Sequence, residues 1–165
     1  MLARIIVLSD THKNQKLLRK AITNETEITH IFHLGDNYED LDENYDLTDN
    51  KIITKVPGIF HPGYISKELP TVVLTKIGSW EFVLLHNLED LNIKSSDLVL
   101  FGHTHKQIFF REGNVYFLNP GHLKNSSSSN QSPGYAVIEV FRNKLNIKLK
   151  NIEGTTVQNY QIERR

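Results

Sequence analysis

Four apolar runs in this chain each stop at an aspartate or a histidine, and that recurrence limits the available folds more than any other feature. Residues 4–8 run into Ser9-Asp10-Thr11-His12, and residues 28–34 into Gly35-Asp36. Residues 82–85 run into His86, and residues 98–101 into Gly102-His103-Thr104-His105. Short runs rich in β-branched side chains mark strands buried on both faces. In layered α/β folds, ligands gather beyond the carboxyl ends of such strands. The four runs therefore predict one rim on which segments distant in sequence converge.

The connections sort the runs into an architecture. Leu17, Leu18, Ala21 and Ile22 recur at helical spacing behind Asn14, a suitable helix cap. Strand, helix and strand in that order suggest a parallel βαβ unit over the first 34 residues. Residues 36–50 are acidic, with Glu39, Asp40, Asp42, Glu43, Asp46 and Asp49, and read as a solvated loop with one helical turn at most. Residues 51–56 read as a further strand, and residues 57–64 as a loop, from Pro57, Gly58, Pro62 and Gly63. Three hairpins follow, turning at Gly78-Ser79, Glu112-Gly113-Asn114 and Arg142-Asn143-Lys144. The expectation is two packed sheets with few helices outside, forming one domain over residues 1–165. Residues 124–133, with four consecutive serines, read as a mobile loop. The polar stretch after Gly154 shows no pattern that places it.

Composition narrows the chemistry. Hydrophobic residues make up 39% and charged residues 23% of 165, which suits a globular core and excludes wholesale disorder. Lys plus Arg balance Asp plus Glu at 19 each, without the basic excess expected of a protein that tracks long nucleic acid. Cysteine is absent, so disulfides and thiolate ligands are excluded, and imidazole, carboxylate, amide or water must hold any metal. Such donors suit Mn, Fe, Zn, Ni or Co. The first apolar run is too short for a membrane span or a signal-peptide core, which leads to the expectation of a cytoplasmic protein with no membrane partner.

Taken singly, each motif has an ordinary explanation. Asp10 fits a helix cap beside an exposed His12, Gly35-Asp36 fits a turn, and a histidine such as His86 after a strand is often structural. Gly102-His103-Thr104-His105 is the sharpest signal, with two imidazoles two apart after a glycine at a strand end. As a set, two carboxylates and four imidazoles exceed the needs of one tetrahedral ion and are about enough for a pair. Between two such ions a water loses its proton near neutral pH, and the metals neutralise charge on a transferring phosphoryl group.

Asp10-x-His12, Gly35-Asp36, His86, Gly102-His103-Thr104-His105 and Asn119-Pro120-Gly121, in this order, resemble the calcineurin-like metallophosphoesterase family. The resemblance is to its small archaeal and bacterial phosphodiesterases, which share their fold with the retromer phosphoesterase-like subunit. It implies a four-layer α/β/β/α sandwich of two mixed sheets. It implies one ion held by Asp10, His12, Asp36 and His105, and a second by Asp36, His86 and His103, with Asp36 bridging. Manganese is the first expectation for both, with Zn, Fe, Ni or Co as alternatives. The family pattern also places an amide-bearing Asn after a loop glycine. Here that stretch is Gly58-Ile59-Phe60-His61, with Ile59 in the amide's place and His61 left to act as ligand or proton donor. His122 stands where the family has Ser after Asn-Pro-Gly; it is read as a turn residue, and His30 and His33 carry no assigned role.

The resulting expectation is hydrolysis of a small phosphodiester, or less readily a phosphomonoester, by a metal-bridging hydroxide, with Asp36 and His61 as catalytic groups. The rival is a catalytically weakened, metal-binding interaction module of the same fold, motivated by Ile59. A nuclease of short oligonucleotides or cyclic nucleotides is a third reading, and homo-oligomers are frequent among relatives.

Overall fold

The first strand shows why its sequence lacks the usual in-and-out alternation. In the computed structural model, which describes residues 1–93, 95–125 and 130–164, β1 (Ala3–Leu8) lies inside a six-stranded sheet. Ile5 and Val7 face a core between two sheets, while Ile6 and Leu8 face a helix. Both faces are apolar, so the run is continuous. The helix is α1 (Gln15–Thr23), started by Asn14, whose side chain accepts a hydrogen bond from the Leu17 amide. Leu18, Ala21 and Ile22 pack on the sheet beside Ile31, Tyr135 and Val137. α1 leads to β2 (His30–His33), parallel to β1, and β3 (Ile52–Lys55) continues that parallel order.

The second sheet holds β4 (Val72–Ile77), β5 (Trp80–Leu85), β6 (Leu98–Leu100), β7 (Gln107–Glu112) and β8 (Val115–Pro120), in the order β4-β5-β6-β8-β7. β5, β6 and β8 are parallel, and β4 and β7 join them as antiparallel hairpins. β9 (Gly134–Val140) and β10 (Lys144–Asn151) form the third hairpin, placed on the far side of β1 in the first sheet. The chain after Gly154 becomes β11 (Thr156–Glu163), an edge strand on β10. Both sheets are mixed, and Phe32, Leu34, Phe82, Leu84, Leu98, Leu118 and Ile138 fill the space between them.

The outer layers are unequal. α1 and the single turn α2 (Tyr45–Thr48) belong to the first sheet's side. On the outer face of the second sheet, Val83, Leu85, Val99, Phe101 and Phe117 are covered by Leu88, Leu91 and Ile93, and the regular structure there among the described residues is one 3-10 turn, Leu88–Asp90. Residues between β5 and β6 offer helical spacing only at Leu88 and Leu91, so this fourth layer is thin.

Two loop expectations change. The acidic stretch holds the one turn expected of it, yet Asp40, Leu41, Asn44 and Thr48 are buried. Residues 62–65 form α3 (Pro62–Ile65), with His61 as its cap and Pro62 in its first turn. The mobile loop expected over residues 124–133 centres on residues 126–129, which lie outside the described residues.

Candidate metal centre

Every parallel strand of both sheets delivers its carboxyl end to one rim. β1 leads to Asp10 and His12, β2 to Asp36, β3 to the 57–61 loop, β5 to His86, and β6 to His103 and His105. Asp10, His12, Asp36 and His105 offer ligand atoms that all lie within 4.8 Å of one another.

The backbone is bent to achieve this. Asp10 (φ 53°), His12 (46°), Asp36 (53°), His103 (68°) and His105 (62°) all sit in the left-handed region, which L-residues with side chains seldom occupy. Strain of this kind persists where the surrounding fold over-determines it. Neighbouring glycines make room: a Cβ on Gly58 would overlap Asp36 Oδ1, and one on Gly102 would overlap Ser9 Oγ.

Donors and acceptors at the centre do not cancel. Asp10 is fully buried; its Oδ2 accepts hydrogen bonds from Ser9 Oγ (2.5 Å) and the His103 amide (3.0 Å). Its Oδ1 is buried with no hydrogen-bond partner, although His105 Nε2 is 3.2 Å away and His12 Nε2 4.0 Å. His86 Nδ1 lies 2.7 Å from the Leu34 carbonyl, which can only accept, so Nδ1 carries the ring hydrogen. The remaining lone pair, on Nε2, is buried, without a hydrogen-bond partner, and 3.5 Å from Asp36 Oδ1. On the other side, Asp36 Oδ2 is 3.1 Å from His12 Nε2. Orphaned lone pairs aimed at a shared space fit a cation, and a mixed imidazole and carboxylate set fits a first-row divalent ion. His103 stands at the outer margin, its ring 5.3 Å from that of His86.

Titration follows the same geometry. Burial raises the Asp10 carboxyl, but the nearness of His105 and the Ser9 hydroxyl outweigh it and hold the group at about 2. Burial raises Asp36 and lowers His12. His105 is raised by its contact with Asp10. The two carboxyls are thus pushed apart, as in sites where acidic groups have different duties.

Three residues acquire definite places. Asn119 donates to the Gly102 carbonyl (2.8 Å) and Thr104 Oγ1 (3.0 Å) and accepts from the Gly121 amide, so the Asn-Pro-Gly turn pins the histidine loop. His122 is buried, accepts from the Lys124 amide and lies 2.9 Å from the Gln131 carbonyl, so its ring is committed to backbone. His61 Nδ1 accepts from the Gly63 amide, which puts the ring hydrogen on Nε2, 2.7 Å from Glu39 Oε1. That hydrogen bond holds Glu39 below its usual range. His61 and Glu39 line a cleft of about 420 Å³ with His12, Lys13, Asp36 and Phe60. Sequence reasoning passed over Glu39, whose only signal was its place in an acidic run. Ile59 brings no donor atom, and the amide-bearing residue that lines the cleft is Asn37.

Solved structures share this fold. A predicted phosphoesterase from Streptococcus pneumoniae is 22% identical, with 98% of each chain covered and a TM-score of 0.73. An archaeal phosphodiesterase is 20% identical over 98% of this chain and 99% of its own, with a TM-score of 0.67. Vps29 from Entamoeba histolytica, solved with zinc, is 21% identical over 97% and 98%, with a TM-score of 0.65. Among curated proteins no sequence gives a significant match. No helix among the described residues is long and apolar enough to cross a membrane. The calcineurin-like phosphoesterase superfamily domain matches residues 3–143, most of the chain, and the protein belongs to that superfamily.

Proposed function

We propose that the protein hydrolyses phosphodiesters with the help of two divalent ions at the rim. The observation that carries this reading is the position of Asp36, with Oδ2 turned to His12 and Oδ1 to the orphaned lone pair of His86. Asp10, His12, Asp36 and His105 would hold one ion; Asp36, His86 and His103 the other. Bound divalent ions supply Lewis acidity, which makes water acidic near neutral pH and offsets phosphoryl charge.

The chain's own groups do the rest. Asp36 orients its two oxygens toward separate imidazoles, and its carbonyl is tied to Thr11. His61 presents an N–H at the cleft and offers a hydrogen bond to the leaving oxygen, with Glu39 holding the ring until substrate arrives. The substrate is a small phosphodiester, with phosphomonoesters second. The test is a chromogenic phosphodiester assay on metal-free protein with Mn²⁺ restored. Turnover should return with metal and fall at least about 100-fold in Asp36→Asn. Equal turnover in Asp36→Asn would assign the activity to a contaminant.

A second reading rests on Ile59, which itself offers the second ion no amide oxygen. The fold then serves as a metal-binding interaction module, and Vps29 is among the structural neighbours. One tightly held ion with no turnover favours this reading.

A further inference from the structure

Asp40 lies in the acidic stretch that the sequence assigns to solvent, yet it is 4% exposed. Its Oδ2 meets the Thr11 hydroxyl, and its Oδ1 accepts from Gln15 Nε2 at 2.9 Å. His33, fully buried, accepts the Gly35 amide on Nδ1 at 3.3 Å, which leaves the ring hydrogen on Nε2. That Nε2 has no hydrogen-bond partner and points at Asp40 Oδ2 from 3.8 Å. A buried carboxyl surrounded by donors is expensive to assemble and calls for a reason.

The reason lies one bond further on. Thr11 Oγ1 is also 3.0 Å from the Asp36 carbonyl, so the one hydrogen of that hydroxyl is shared between the Asp40 carboxyl and the backbone of Asp36. Thr11 itself is flanked by Asp10 and His12. The Asp10 amide donates to the Gly35 carbonyl at 3.0 Å. Thus the turn after β1 and the turn after β2, each carrying left-handed residues, are cross-tied beneath the rim. Neither Asp40 nor Thr11 offers an atom to the ligand group itself.

We infer that Asp40 is a positioning residue: through the Thr11 hydroxyl it clamps the Asp10-Thr11-His12 turn onto Gly35-Asp36 and so sets the affinity of the centre for divalent ions. The inference rests on the reading above, that these turns hold such ions. Partners of metal-binding groups typically change affinity about 10- to 100-fold when removed.

The experiment is calorimetric titration of the metal-free full chain with Mn²⁺. Asp40→Asn and Thr11→Val should each weaken the tightest ion about 10- to 100-fold, and Thr11→Ser, which restores the hydroxyl, should stay within about threefold of wild type. Asn44→Ala is the control for simple loss of stability. Asn44 bonds the Asp40 carbonyl and Gln15 but not Thr11, so this variant should lower Tm and leave the ion's Kd unchanged. The inference is overturned if Asp40→Asn binds like wild type, or if Asn44→Ala weakens the ion as much as Asp40→Asn does. If Asp40→Asn does not fold, the contrast between Val and Ser at Thr11 decides. A wild-type chain that takes up no ion overturns the functional reading and this inference together, whereas tight wild-type binding with an indifferent Asp40 overturns the inference alone.

Discussion

His86 Nε2 and Asp36 Oδ1 face each other across 3.5 Å as two acceptors with no hydrogen between them. Such a pair is repulsive until a cation enters. Mn²⁺ at 100 times its Kd should therefore stabilise the fold by about 2.7 kcal/mol. For a chain of this size each kcal/mol moves Tm by roughly 2–4 °C, so scanning calorimetry should record a rise of about 5–10 °C over protein kept in EDTA. In Asp36→Asn most of the rise should vanish.

Gly58 presses on Asp36, and the added methyl of Gly58→Ala would overlap both its carboxyl and its backbone nitrogen. The backbone there needs no left-handed angle, but the Asp36 turn must shift to admit the methyl. The expected loss is about 1–3 kcal/mol in stability, typical of overpacking. Metal affinity should fall at least about tenfold, as for a displaced ligand. Circular dichroism with a metal titration checks both, and unchanged affinity would refute the contact's importance.

Ile59→Asn places an amide oxygen where the family's pattern has one. The variant should bind two ions where wild type holds the second weakly, and gain roughly tenfold in turnover, a modest step for one added ligand. Metal stoichiometry by mass spectrometry, read beside the rate, tests this. A second ion already tight in wild type would show that Ile59 does no harm.

Tyr64 in α3 donates to Asp90 in the 3-10 turn at 2.6 Å, and burial together with that bond pushes its hydroxyl up to about 12. An unfolded tyrosine titrates near 10. The folded chain holds this proton more tightly, so the stability it lends is complete below pH 10 and is lost as pH rises toward 12. Absorbance at 295 nm should show one late phenol disappearing in Tyr64→Phe and moving toward 10 in Asp90→Asn. Because α3 is capped by His61, the same Phe variant should raise KM.

The strands of the rim were legible because burial on both faces writes itself as an unbroken apolar run, as in Ile5-Ile6-Val7-Leu8. β11 was not, since Ile162 is its one buried residue and an edge strand needs no alternation. The candidate ligand residues were visible as types at strand ends, but their left-handed backbone was not, because no sequence rule forces φ positive at Asp10 or His105. Asp40 was misread for a different reason: its burial is decided by Thr11 and Gln15, partners about 25 residues away that no local pattern announces. α3 did leave a trace in His61-Pro62, a cap followed by a proline suited to a first turn.

β1 stands between β2 and β9, so one flank of the strand that carries Asp10 is built from residues 134–140. During synthesis the earliest acidic and imidazole groups leave the ribosome long before that neighbour exists. The centre therefore closes only once residues 134–140 have been made and have docked beside β1, so its geometry is a late product of folding, whatever the order in which its side chains emerge.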